Sequence, residues 1–125
     1  AHALNLPNVC FEGFASPEGL AALYAGASLF ATASAHEGYC LPLVEAMAAG
    51  VPVLARRTGG MPEALGGAGL LYEELTAPQL GELMGEAIGN ADLRARLLAS
   101  QAARMVEIRA RKPADELARL LAELD

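Results

Sequence analysis

"ASLFATASAHEGYCLPLVEAMAAGVPVLA", residues 27–55, reads as strand, loop, helix and strand in one run. The outer segments, "ASLFATAS" (27–34) and "VPVLA" (51–55), are short and apolar, as strands buried in a parallel sheet are. Between them, "LPLVEAMAAG" (41–50) has Pro42 to pre-set the first helical turn and Gly50 to take left-handed backbone after the last. Parallel strands need such a helical crossover, so this stretch argues for an α/β fold.

The alternation continues outward in both directions. "NVCFEGF" (8–14) and "GLLY" (69–72) are further strand candidates. "SPEGLAALYAGA" (16–27) opens a helix with Ser16 as N-cap, Pro17 at the first helical position and Glu18 in the first turn. After residue 75 the pattern is helical throughout: "APQLGELMGEAIGN" (77–90), then "ADLRARLLASQAARMVEIRARK" (91–112). Pro113 ends that run and opens "ADELARLLAEL" (114–124). The expected fold is a Rossmann-like parallel sheet flanked by helices. Four strands are few for such a sheet, and "AHALNLPN" does not read as a capped beginning. Residues 1–125 are therefore expected to be the later part of a larger α/β domain, incomplete at its N-terminal side.

The 125 residues are 54% hydrophobic with a mean hydropathy of +0.30, enough for one domain with a core. Only 5% are aromatic and Trp is absent, so Ala, Leu and Val must fill it. A net charge of -6 argues against a coat for nucleic acid or anionic lipid. Arg104, Arg109, Arg111 and Lys112 fall close together and read as a solvated helix face. Cys10 and Cys40 form no Cys-x-x-Cys pair, which fits a reducing compartment. No apolar run approaches the ~20 residues that cross a bilayer. A cytoplasmic protein is expected, with the inner membrane face as the one candidate membrane location.

The chemistry concentrates in the loop and helix start of the opening stretch. First-turn N–H groups of a helix lack partners and carry roughly +0.5 charge from the aligned peptide dipoles. The preceding Gly38-Tyr39-Cys40-Leu41 can turn its amides toward a bound anion, as strand–turn–helix phosphate sites do. Glu37 and Glu45 flank that position, and a carboxylate repels phosphate but accepts hydrogen bonds from hydroxyls. An anion between two polyols describes a nucleotide-sugar. Yet no Lys or Arg occurs in residues 1–55 to supply countercharge. Each acid also has an ordinary reading, Glu45 complementing the helix dipole and Glu37 facing solvent.

Other readings are weaker. His36 and Cys40 have metal-like spacing, but Gly38 and Pro42 oppose a helix across them and no further ligand cluster is visible. The glycines of "LGGAGLLYEE" (65–74) precede a strand, the wrong order for a dinucleotide loop. "TGGMPE" (58–63) reads as a turn after "VPVLA" that could border the cleft. Ser28 and Ser34 have no visible base partner.

"EGYCLPLVEAMAAGVPVLA" resembles the signature of retaining glycosyltransferases of the two-Rossmann-domain (GT-B) type, family 4 (group 1). The shared pattern is Glu, seven residues, Glu, then Ala-Met-Ala-x-Gly-x-Pro-Val. "VCFEGF" and "EGLAALYAGASLFATAS" before it, and "RRTGGMPEALGGAGLLY" after it, extend the resemblance over about residues 7 to 100. The resemblance implies that Glu37 is the catalytic residue of the motif, contacting donor-sugar hydroxyls near the reacting centre to orient and stabilise the donor. It implies that Glu45 holds the ribose and that the amides of Gly38, Tyr39, Cys40 and Leu41 meet the diphosphate and sugar. Phe14 falls where such enzymes place main chain against the nucleobase. No cofactor or obligatory metal is implied. The partners implied are a nucleotide-sugar donor and an acceptor glycan, lipid or small molecule held by a separate N-terminal domain, with no nucleic acid.

The departures are specific. Cys40 replaces the commoner Gly, "VEIRARKPADEL" stands where an aromatic segment is usual, and the basic donor-binding pair would lie upstream. The isolated chain is accordingly expected to be inactive, and its open sheet edge could pair with a second copy. By its place at a helix start, Cys40 is expected to have a lowered thiol pKa. The alternative from another class is a non-catalytic nucleotide- or protein-binding Rossmann-like module. Within the fold, an epimerase or phosphorylase would use similar domains.

Overall fold

The computed structural model describes residues 6–111. In chain order they form α1 (Pro17–Gly26), β1 (Phe30–Thr32), α2 (Leu41–Ala48), β2 (Val53–Arg56), α3 (Met61–Leu65), β3 (Leu70–Tyr72), α4 (Ala77–Gly89) and α5 (Ala91–Ala110). Among the described residues the strands make one parallel sheet in the order β1-β2-β3. Phe30 lies opposite Val53, and Leu54 opposite Leu70. This is the expected α/β, Rossmann-like arrangement of parallel strands flanked by helices.

The central strand explains the apolar run "VPVLA". Val53, Leu54 and Ala55 have no exposed surface, whereas β1 and β3 are only half-buried. A strand covered on both faces has no position where a polar side chain reaches water. Around it pack Leu43, Ala46 and Met47 of α2, spaced i, i+3, i+4 on one face of the helix. Met61, Ala64 and Leu65 of α3 and Met105 of α5 complete that core. Burial of one such Leu stabilises by about 1.5–3 kcal/mol.

Helix boundaries follow local chemistry. The Ser16 hydroxyl accepts from the Gly19 N–H at 3.1 Å, capping α1 as expected. Gly50 takes left-handed backbone after α2, at φ 73°.

Two expectations of secondary structure change. "NVCFEGF" forms no strand: Gly13 adopts φ 62°, which breaks an extended run, and the segment joins no ladder. Its Phe11 and Phe14 are 78% and 96% exposed. "MPEAL", read as part of a turn, is instead the short helix α3. The expected helix at 114–124 lies outside the described residues, as does Lys112.

A polar clamp on α5 secures the sheet. Buried Gln101 donates from Nε2 to the Val51 carbonyl at 2.8 Å and accepts at Oε1 from the Val53 N–H at 2.9 Å. It thereby satisfies two main-chain groups at the entry to β2. Arg104 is buried too, which corrects its assignment to a solvated face. Its guanidinium donates to the carbonyls of Glu63 at 2.6 Å and Ala64 at 3.1 Å, near the end of α3, and to Glu107 at 2.8 Å.

Candidate functional site

The loop between β1 and α2 is fixed from below by the loop after β2. The Thr58 hydroxyl donates to the Ser34 carbonyl at 2.9 Å. The Gly60 N–H lies 3.3 Å from the Glu37 carbonyl and 3.1 Å from the Gly38 carbonyl, and donates to both. Side chains are barred from this seam: a Cβ on Gly59 would collide with the Glu37 carbonyl, and one on Gly60 with that of Gly38. "TGGMPE" is thus more than a turn, because its glycines are the floor on which the Glu37 loop rests.

The loop then enters α2 through Cys40, the one non-glycine among the described residues with positive φ, at 50°. Left-handed backbone at a residue with a Cβ is strained by roughly 1–3 kcal/mol. The Cys40 side chain makes no capping bond, while its carbonyl accepts from the Leu43 N–H at 3.1 Å. Among the described residues, no protein group accepts a hydrogen bond from the N–H of Gly38, Tyr39, Cys40 or Leu41. Four consecutive donors therefore stand open at the positive end of a helix dipole.

The carboxylates flank these donors. Glu37 is half-buried, and among the described residues its side chain has no hydrogen-bond partner. Glu45, one turn into α2, is half-buried and accepts at Oε2 from the Tyr24 hydroxyl at 3.1 Å. The same hydroxyl lies 3.1 Å from the Pro42 carbonyl, so α1 is tied to the first turn of α2. Burial, together with the adjacent Glu45 carboxylate, pushes the Tyr24 hydroxyl up to about 12. It is a proton donor at neutral pH. No local pattern signals this contact, since the partners are 21 positions apart.

Cys40 departs from its expectation. Burial pushes its thiol up and outweighs the lowering influence of the nearby Leu43 N–H, and nearby Glu37 pushes the same way as burial. Tyr39 and Leu41 present exposed side chains, so what the loop offers inward is main chain. Phe14 stands 96% exposed on the irregular segment before α1.

Two grooves lie elsewhere. One of about 400 Å³ runs past Arg56, Tyr72 and Glu73 at the carboxyl ends of β2 and β3. Another of about 420 Å³ separates α2 from α5 beside Met47, Met105 and Arg109. Neither Glu37 nor Glu45 lines either groove. Among the described residues no cluster of three or more His, Cys, Asp and Glu is gathered, and no helix is long and apolar enough to cross a membrane.

Known proteins share these segments. The chain is 44% identical over 68 residues to the MMP alpha-(1->4)-mannosyltransferase of Mycolicibacterium hassiacum, covering 54% of this chain and 16% of that protein. It is 44% identical over 63 residues to the O-antigen chain mannosyltransferase B of Escherichia coli, covering 50% and 16%. Against the D-inositol 3-phosphate glycosyltransferase of Corynebacterium jeikeium it is 38% identical over 80 residues, covering 62% and 19%. The matched part thus spans less than a fifth of each relative's length. Residues 1–104 match the family described as glycosyl transferases group 1, and the chain belongs to that family.

Proposed function

We propose that this chain is the donor-binding portion of a retaining, family 4 glycosyltransferase of the GT-B type. It serves a longer protein in which a separate domain supplies the acceptor site and upstream sequence supplies the basic donor-binding pair. A nucleotide-diphosphate sugar lies across residues 37–45. The open amides of Gly38, Tyr39, Cys40 and Leu41 donate to the diphosphate, Glu45 accepts from the ribose, and Glu37 accepts from hydroxyls of the transferred sugar. Exposed Phe14 is free to border the base. Two of the three relatives named above are mannosyltransferases, which favours a mannosyl donor.

The observation that carries this reading is the set of unpartnered amides at the start of α2, held between two acids by the Gly59–Gly60 floor. As the glycosidic bond breaks, negative charge grows on the diphosphate, where pre-oriented N–H groups stabilise it without reorganising. In this reading attack comes from the departing side, with the leaving phosphate oxygen taking the acceptor proton and Glu37 orienting the donor.

Calorimetric titration of the complete enzyme with ADP, GDP and UDP tests the assignment. Saturable binding that Glu45→Ala weakens by ~10-fold, about 1.4 kcal/mol, is expected. Binding that is indifferent to Glu45 contradicts it.

A further inference from the structure

We propose that Tyr24 is a positioning residue for nucleotide selection: from α1 it fixes the Glu45 carboxylate in the pose that receives ribose hydroxyls. The inference rests on the reading above, in which Glu45 meets the ribose.

A half-exposed glutamate with free rotamers presents its carboxylate in several directions, and ordering it on binding costs up to ~2 kcal/mol. Here the ordering is done in advance. The Tyr24 hydroxyl stands 3.1 Å from Glu45 Oε2 and 3.1 Å from the Pro42 carbonyl, so one proton is shared between the acid and the helix start that carries it. A carboxylate offers about four acceptor positions. Tyr24 occupies one of them at Oε2. Oε1 has no partner among the described residues, so the acid keeps acceptor capacity for a diol.

Tyr24 is itself well held. Its ring is half-buried against the core and lies 6.3 Å from the Phe30 ring of β1. α1 contributes no fully buried residue, and this half-buried tyrosine is the residue of the helix that packs against the core. A phenol over an acid of the candidate site is more than packing requires: Phe would fill the same space.

The test uses the complete enzyme and its Tyr24→Phe variant, titrated with whichever of ADP, GDP and UDP binds best and with its 2′,3′-dideoxy counterpart. Tyr24→Phe is expected to weaken the ribonucleotide by ~5-fold, since a hydrogen bond to a charged group is lost indirectly, and to leave the dideoxynucleotide unchanged. Equal weakening of both ligands, or of neither, overturns the proposal. An unmutated enzyme that does not distinguish the two ligands removes the ribose reading of Glu45 itself, a separate failure. Should the variant not fold, 3-fluorotyrosine placed at position 24 keeps the hydroxyl. Its fluorine resonance is expected to move with the ribonucleotide and not with the dideoxynucleotide, and movement with both or neither overturns the role.

Discussion

The clamp on α5 and the loop before α2 treat main-chain hydrogen bonds in opposite ways. Gln101 and Arg104 reach from one helix to satisfy carbonyls and an amide at the entry to β2 and near the end of α3, and among the described residues no buried side-chain polar atom lacks a partner. In the loop leading into α2, four successive amides and the Glu37 side chain have no partner among the described residues, and the entry residue is a strained cysteine. The groups held by the clamp are buried and paired, as folding requires, whereas Gly38, Tyr39 and Leu41 are exposed and their amides belong to a helix start that cannot satisfy them itself. The first region holds the fold; the second is open to solvent or to a ligand.

That separation can be broken by mutation. The largest effect is expected at the clamp. Gln101→Leu leaves the Val53 N–H and the Val51 carbonyl buried without partners and should cost about 3 kcal/mol in chemical denaturation. Nucleoside diphosphate affinity should stay within ~2-fold, because distant sites act independently. A binding loss as large as the stability loss would join two regions that are here held separate.

Glu37→Ala in the complete enzyme should lower kcat by ~100-fold with little change in stability or in nucleotide affinity. A variant that loses nucleotide affinity while turning over normally would exchange the roles of Glu37 and Glu45. Gly60→Ala tests the floor. Its methyl group would displace the Gly38 carbonyl, so nucleoside diphosphate binding should weaken ~10-fold while the core stays intact. Unchanged binding would mean that the loop position does not matter.

The smallest effect is expected at Cys40. Replacement by Ala keeps the left-handed strain and replacement by Gly removes it, so Cys40→Gly should be more stable than Cys40→Ala by about 1 kcal/mol. The raised thiol has a definite sign. The folded state favours the neutral form, a contribution that is complete at neutral pH and lost as pH rises beyond the ordinary thiol value of 9.0. Cys40 should accordingly alkylate more slowly than exposed Cys10 at pH 8. Faster labelling of Cys40 would restore the activated thiol.

Much of this was legible in the residues because local rules act over a turn or two. Ser16 and Pro17 set the start of α1, Pro42 and Gly50 bracket α2, and "VPVLA" shows a strand covered on both faces. Burial of Arg104 was hidden because its partners are carbonyls about forty positions away, which no side-chain pattern records. The floor under the Glu37 loop was equally hidden, for Gly59 and Gly60 matter through the absence of a Cβ against a distant backbone. "NVCFEGF" has strand composition, yet a strand exists only by pairing, and composition does not say with what. The acids were singled out by their place around a helix start and by the family resemblance. The phenol that holds one of them depends on how α1 crosses α2, which spacing cannot reach.

A crystal structure of the complete enzyme with a nucleoside diphosphate tests the central claim most directly. Diphosphate oxygens are predicted about 2.9 Å from the N–H groups of Gly38 to Leu41, with the ribose hydroxyls on Glu45. A diphosphate bound away from this loop, or these amides turned onto the protein's own carbonyls, would contradict it.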